Sequence, residues 1–162
     1  MNYLSINKCD TANGKGVRVT LFTAGCRLHC PGCFNPESWN FQAGKPFTRE
    51  TEDEIIEALR PLYCSGLTLC GGEPFEPENQ GPLLGLLRRI RAELPGKSVW
   101  AFSGRYYEEL IAPPFNAADL LEFVDVLVEG PFEEDKKDLS LAFRGSSNQK
   151  ITKLKGGKPF DI

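Results

Sequence analysis

The chain has 162 residues, close to the usual length of one domain, so we expect a single domain over residues 1–162. Hydrophobic residues make up 41% and charged residues 25% of the sequence, which excludes a disordered chain or a coiled coil. With 19 basic against 22 acidic side chains, the formal charge of −3 argues against nonspecific nucleic-acid binding, and no apolar run is long enough to predict a membrane span.

Two strands and one helix are predicted in the first part of the chain. Residues 17–22 alternate between two faces and are rich in β-branched side chains, a pattern typical of a strand. Residues 51–54 have the form of a helix capping box, and the helix that follows should end before Pro61. The apolar run at residues 66–70 predicts a buried strand that leads directly into two glycines.

The second part continues the alternation of helices and strands. Apolar residues recur at helical spacing over residues 82–94, and a shorter helix is predicted at residues 106–111. Strands are predicted at residues 98–102 and 124–128. From about residue 150, lysines among glycines predict a mobile tail or a docking arm.

Strands that alternate with helices predict an α/β fold with right-handed crossovers and a mainly parallel sheet. In such sheets, ligands bind beyond the carboxyl ends of the strands. The cysteine-rich segment follows the first of these strands, and the glycine-containing stretches 71–74, 103–104 and 129–131 follow the others. We therefore expect the ligand site at this edge of the sheet.

The cysteines are the unusual feature of the composition, since the chain has six of them. Cys26, Cys30 and Cys33 lie within eight residues, whereas the others are scattered at positions 9, 64 and 70. No secretory signal pattern precedes them, so a disulfide scaffold is disfavoured and we expect a cytoplasmic protein with reduced thiols. Clustered thiols in that compartment more often bind metal or take part in chemistry.

Three clustered thiols are compatible with two kinds of metal site. A structural zinc ion would need a fourth ligand, and His29, next to Cys30, would have to turn against the loop to supply it. A [4Fe-4S] cluster normally takes four cysteines, so three would leave one iron open to a substrate. An open iron distinguishes a catalytic cluster from an electron carrier, which should close its coordination sphere.

A second motif, Gly71-Gly72-Glu73-Pro74, follows the buried strand. The two glycines let the backbone approach a ligand closely, and Pro74 biases Glu73 toward an extended conformation. Such a turn can present backbone carbonyls and a carboxylate to an ammonium group. Taken alone, it is equally compatible with an ordinary strand-to-helix loop.

Together, the Cys-x3-Cys-x2-Cys loop and the Gly-Gly-Glu-Pro turn resemble those of the radical S-adenosylmethionine superfamily. Over nearly its whole length, the chain resembles the anaerobic ribonucleoside-triphosphate reductase activating proteins. The motifs that carry this resemblance are Asn13-Gly14-x-Gly16, Cys33-Phe34-Asn35 with Trp39, Trp100 before Ser103-Gly104, residues 125–130 and Arg-Gly-Ser-Ser-Asn-Gln at residues 144–149. Two positions depart from the pattern: Glu73, where Asp is frequent, and Cys70, where a small hydroxyl residue is common.

The resemblance implies an incomplete (β/α) barrel of the radical S-adenosylmethionine type, since the chain is shorter than the ~250 residues of a complete barrel. It also implies that Cys26, Cys30 and Cys33 hold a [4Fe-4S] cluster whose fourth iron is chelated by S-adenosylmethionine. No catalytic side chain is implied, because the cofactors carry the chemistry. The residues implied to contact S-adenosylmethionine are Gly32, Cys33, Phe34, Asn35, Gly71, Gly72 and Glu73.

The implied activity is that of an enzyme that cleaves S-adenosylmethionine reductively. The resulting 5′-deoxyadenosyl radical abstracts hydrogen from a glycine of the large subunit of an anaerobic ribonucleotide reductase and leaves a glycyl radical. A flavodoxin-like or other low-potential protein is the implied electron donor, and residues 144–149 are implied to close the site or to meet the partner. The alternatives are an activase of another glycyl-radical enzyme, a deazaguanine-forming enzyme, an iron–sulfur electron carrier and a zinc-binding module.

Overall fold

The structure, a computed structural model, describes residues 1–33 and 36–160, and eight strands of this part of the chain form one sheet. In chain order the strands are β1 (Asn2–Asp10), β2 (Val17–Thr23), β3 (Lys45–Pro46), β4 (Cys64–Gly71), β5 (Ser98–Ser103), β6 (Val126–Glu129), β7 (Lys150–Lys155) and β8 (Lys158–Pro159). The α-helices are α1 (Arg49–Leu59), α2 (Pro77–Glu93), α3 (Tyr107–Leu110) and α4 (Ala118–Leu121). Short 3-10 helices lie at Pro36–Trp39 and Glu134–Lys136.

The α/β class is as predicted, but the sheet is mixed rather than mainly parallel. Its strand order is β3-β1-β2-β4-β5-β6-β7-β8, and the central strands β2, β4, β5 and β6 are parallel to one another. The strands on both sides of this central group run antiparallel. A short turn connects β1 to β2, its neighbour in the sheet, and so short a connection can join only antiparallel strands. The sequence pattern does not predict β1, because most of its side chains are exposed or half-exposed and show no apolar alternation.

The central strands and helices are confirmed, with shifted boundaries at two helices. β2, β4, β5 and β6 overlap the predicted strands. α1 begins after Thr48, whose hydroxyl accepts a hydrogen bond from the Thr51 amide at 3.3 Å, so the capping box starts earlier than predicted. α2 begins at Pro77, and Pro82, the predicted first residue, lies inside it. No helix in the described part of the chain is long and apolar enough to cross a membrane.

Residues 150–155 and 158–159 belong to the sheet as β7 and β8, in the segment for which the sequence predicted a mobile tail or a docking arm. β7 pairs with β6, and Ile151 lies opposite Val128. The Leu154 side chain is buried in the core, and its amide donates to the Asp125 carbonyl at 2.9 Å. Without β7, β6 would be an edge strand with unpaired backbone groups, and the antiparallel pairing satisfies them.

Alternation along the parallel strands separates the hydrophobic core from a cavity on the other face of the sheet. One residue of each strand packs into the core shared with α1 and α2: Leu21, Leu69, Ala101 and Leu127. The next residue of each strand points to the opposite face and lines the cavity: Phe22, Cys70, Phe102 and Val128. The strand periodicity seen in the sequence therefore decides which side chains reach the cavity.

Candidate functional site

A cavity of about 320 Å³ lies at the carboxyl ends of β2, β4, β5 and β6. Besides the strand residues, its lining comes from the loops that follow these strands and from residues 132–149, which precede β7. In sheets with parallel strands this is the edge at which ligands bind.

The three clustered cysteines, Cys26, Cys30 and Cys33, all line this cavity. They belong to residues 24–33 after β2, which we call the cluster loop. Cys26 is buried, the other two are half-exposed, and the Cys33 amide donates to the Cys30 carbonyl at 3.1 Å. Gly32 adopts a positive φ of 73°, and a Cβ there would lie 2.9 Å from the carboxyl carbon of Glu134. The turn between the second and third cysteines therefore requires glycine.

The Cys26 sulfur is the most enclosed of the three. Burial raises the pKa of this thiol to about 11, and the adjacent backbone of Leu28 and His29 lowers it in part. The thiol is therefore protonated at neutral pH when no metal is bound, and a metal ion that binds here has to displace the proton.

The donor set fits an iron–sulfur cluster better than a zinc ion. Within residues 1–33 and 36–160, no group of three or more His, Cys, Asp or Glu side chains converges on a single-ion site. In a [4Fe-4S] cluster each thiolate binds its own iron, so three thiols around a cavity do not need to converge on one point. His29, the alternative zinc ligand, is exposed, and its ring stacks on Trp39 with 4.3 Å between the ring centroids.

The turn at residues 72–76, which we call the β4–α2 turn, packs against the cluster loop through backbone atoms. The Gly72 amide donates to the Thr23 carbonyl at 2.9 Å. A Cβ at Gly72 would lie 2.6 Å from the Gly25 carbonyl oxygen and 2.7 Å from that of Ser38, so only glycine allows this approach. Gly71 and Gly72 both line the cavity.

Glu73 has a geometry different from that of the ligand-facing carboxylate implied by the resemblance. Its side chain is fully buried, at 0% exposure. The carboxylate accepts hydrogen bonds from the Ser103 hydroxyl at 3.0 Å and from the amides of Gly104 and Phe75 at 2.8 and 3.1 Å. Burial raises the pKa of Glu73 to about 7, and these hydrogen bonds lower it in part. The carboxylate thus joins the β4–α2 turn to the end of β5.

The other residues implied to contact a cofactor are placed as follows. Cys33 lines the cavity, and Gly32 lies against the Glu134 carboxylate. Phe34 and Asn35 lie outside the described residues. Cys70, one of the two positions that depart from the family pattern, also lines the cavity, and burial raises the pKa of its thiol.

Residues 143–149 form a cavity wall whose role the sequence left open between closing the site and meeting a partner. Phe143, Gly145 and Gln149 line the cavity. The Gln149 side-chain oxygen Oε1 accepts from the backbone amides of Gly145 and Ser146 at 2.8 and 3.2 Å, and the side-chain nitrogen Nε2 donates to the Gly130 carbonyl at 2.9 Å. Glycine, serine and amide residues are typical of such self-bonded loops, and this geometry supports closure of the site.

The sequence is similar to those of known proteins. Residues 12–152 match the family described as 4Fe-4S single cluster domain. Over 157 residues the chain is 44% identical to the anaerobic ribonucleoside-triphosphate reductase-activating protein of Escherichia coli K12, covering 96% of this chain and 100% of that protein. Proteins of the same name from Haemophilus influenzae and Enterobacteria phage T4 are 40% and 37% identical, over 96% and 93% of this chain and 99% and 93% of theirs. The chain therefore belongs to the family of anaerobic ribonucleoside-triphosphate reductase-activating proteins.

Proposed function

We propose that this chain is an enzyme that activates an anaerobic ribonucleoside-triphosphate reductase by means of an iron–sulfur cluster. The observation that carries the proposal is that the thiols of Cys26, Cys30 and Cys33 line one cavity beside the turn of Gly71 and Gly72. The names of the relatives identify the reductase as the protein acted on, and the matched domain identifies the cluster.

The three cysteines would hold three irons of the cluster and leave the fourth for S-adenosylmethionine. When bound, this pair supplies a 5′-deoxyadenosyl radical, which takes a hydrogen atom from a glycine of the reductase's large subunit. The open backbone at Gly71 and Gly72 would receive the methionyl part of the substrate. No side chain has to act as acid or base, because the cofactors carry the bond cleavage.

Further contacts with S-adenosylmethionine are proposed for Gly32, Cys33, Phe34 and Asn35 of the cysteine motif. The hydrogen bonds that the Glu73 carboxylate accepts from within the fold favour a role in supporting the β4–α2 turn over a contact with the substrate.

An incomplete (β/α) barrel would suit this reaction. It would leave the cluster side open, and a glycine that belongs to a large protein must reach that side. The cavity on the face opposite the helices supports this architecture.

We expect the reaction in the cytoplasm, where thiols stay reduced. The electron would come from a flavodoxin-like or other low-potential donor, and neither nucleic acid nor a membrane would be involved.

Anaerobic reconstitution followed by reduction in the presence of S-adenosylmethionine tests the proposal. The wild-type protein should form 5′-deoxyadenosine, and Cys26→Ser, Cys30→Ser and Cys33→Ser should each abolish it. Cys9→Ser, which changes an exposed cysteine on β1, is the matched control and should retain the activity. Equal product from the three cluster-loop variants would refute the proposed site.

A second measurement identifies the substrate protein. Adding the anaerobic reductase should produce a glycyl radical signal in electron paramagnetic resonance. Formation of 5′-deoxyadenosine without this signal would point instead to another radical S-adenosylmethionine enzyme, such as an activase of a different glycyl-radical protein.

A further inference from the structure

Glu76 carries a buried carboxylate at the end of the β4–α2 turn, immediately before α2. Its side chain is only 1% exposed. One carboxylate oxygen accepts a hydrogen bond from the Arg27 backbone amide at 2.7 Å and lies 3.7 Å from the Arg105 guanidinium. The other oxygen accepts from the Arg27 guanidinium at 3.3 Å. The proposed function assigns no role to this carboxylate.

The backbone bond to Arg27 matters because of where Arg27 lies. It directly follows Cys26, so an acceptor that holds the Arg27 amide also fixes the backbone from which the Cys26 side chain projects. Interactions that orient the ligands of a metal centre are among those by which a protein tunes it.

The β4–α2 turn holds the cluster loop on both sides of Cys26. On one side the Glu73 amide donates to the Gly25 carbonyl at 2.8 Å, and on the other the Glu76 carboxylate accepts from the Arg27 amide. The first contact uses backbone atoms only, so any side chain at position 73 preserves it. The second depends on the side chain of Glu76.

We propose that Glu76 is a positioning residue for the cluster, which holds the backbone next to Cys26 and thereby fixes the position of the ligand sulfur. The role belongs to the hydrogen bond with the Arg27 backbone and not to the ion pair with the Arg27 guanidinium. The inference rests on the proposed function in one respect only, that Cys26 is a cluster ligand.

The two interactions of Glu76 with Arg27 differ in length and in how firmly the donor is held. The guanidinium bond is 3.3 Å long, and the Arg27 side chain is 53% exposed and also pairs with Glu78 at the surface, where solvent screens the charges. The backbone bond is 2.7 Å long, and its donor belongs to the main chain and its acceptor is charged. Loss of the carboxylate should therefore loosen the loop, whereas loss of the guanidinium should not.

Hydrogen–deuterium exchange of the metal-free protein, kept anaerobic and reduced, tests this directly. Glu76→Ala should speed amide exchange at Arg27 by about tenfold to a hundredfold, the effect of losing a hydrogen bond to a charged group, and should also speed it at the neighbouring Cys26 amide. Glu76→Gln keeps an oxygen acceptor and should recover most of the protection. Arg27→Ala and Glu78→Ala are the controls. Glu78→Ala removes a surface ion pair, and Arg27→Ala removes the guanidinium with its bonds to Glu76 and Glu78 and its contact with Phe41. Both leave the backbone bond intact and should stay within about threefold of wild type.

The reconstituted proteins give a second readout in the rate at which a chelator removes iron. Glu76→Ala should lose iron faster than wild type, and Glu76→Gln, Arg27→Ala and Glu78→Ala should remain close to it. Unchanged loop exchange in Glu76→Ala would overturn the inference, and so would an equal effect of Arg27→Ala. Strands β4 and β5 serve as the internal reference. If Glu76→Ala speeds amide exchange there as much as in the cluster loop, the variant has lost stability in general, and this result would also overturn the inference.

The proposed function can fail separately from this inference. If wild-type protein forms no 5′-deoxyadenosine while the exchange pattern is as expected, then Glu76 holds the loop but the chemistry assigned to the loop is wrong.

Discussion

The Glu73 carboxylate accepts a hydrogen bond from the Gly104 amide at 2.8 Å, which joins the turn after β4 to the end of β5. The Ser103 hydroxyl adds a further bond at 3.0 Å. Leu28 of the cluster loop also packs against Gly104, because a Cβ added at Gly104 would lie 2.2 Å from a Leu28 methyl carbon. The cluster loop and the two turns therefore form one connected border of the cavity.

Replacing Glu73 should destabilise the whole protein. Glu73→Ala leaves the buried amides of Gly104 and Phe75 without an acceptor, so the free energy of unfolding should fall by about 2–4 kcal/mol. Ser103→Ala removes a single donor to this carboxylate and should cost about 1 kcal/mol. Denaturant titration of the metal-free protein measures both. Wild-type stability in Glu73→Ala would contradict the bridging role.

Glu73 should also make stability depend on pH. Because burial raises its folded-state pKa from 4.5 to about 7, the fold favours the protonated carboxyl. This contribution is fully present below pH 4.5 and is lost as the pH rises through 7. Between pH 5 and pH 8 the wild-type protein should therefore lose up to about 3 kcal/mol relative to Glu73→Gln, which does not titrate. Parallel stability curves for the two proteins would show that the pKa of Glu73 is not raised.

Gly72 and Gly85 offer a matched pair of glycine substitutions. A Cβ at Gly72 would collide with the carbonyl oxygens of Gly25 and Ser38, whereas a Cβ at Gly85, on α2, meets nothing within 4 Å. Gly72→Ala should cost about 1–3 kcal/mol and lower the iron content after reconstitution, because the β4–α2 turn must move away from the cluster loop.

Gly85→Ala should instead raise the free energy of unfolding by about 0.5–1 kcal/mol, since alanine is the better helix former. Its iron content should equal that of wild type. A Gly72→Ala protein that also retains full iron content would mean that the close backbone contact is not needed to hold the cluster.

Gln149 should affect substrate binding more than the chemical step. Gln149→Ala removes the acceptor for the Gly145 and Ser146 amides and the donor to Gly130, so the cavity wall is held in place for a smaller fraction of the time. The KM for S-adenosylmethionine should rise about tenfold, with little change in kcat. Gln149→Glu keeps the acceptor oxygen but loses the donor, so its KM should lie between those of the wild type and Gln149→Ala. Steady-state formation of 5′-deoxyadenosine measures these values, and a fall in kcat alone would contradict this role.

Local patterns were sufficient for the elements that build the central sheet. The alternation in residues 17–22 predicted β2 and also which of its side chains leave the core, because strand periodicity depends only on neighbouring residues. Local patterns failed for β1 and β7, whose exposed side chains resemble those of a loop or tail. These strands form because β2 and β6 offer unpaired backbone edges, which no local pattern reveals.

By itself, the sequence determined the residue types of the cluster loop, the α/β class and the family, because these depend on spacing within short segments. Only the tertiary structure decided the roles of the two carboxylates of the β4–α2 turn. Glu73 bonds Gly104, 31 positions away, and Glu76 bonds Arg27, 49 positions away. Both contacts cross between neighbouring strand ends, so they follow from the order of strands in the sheet. That order places Glu73 inside the protein and brings Glu76 to the residue beside Cys26.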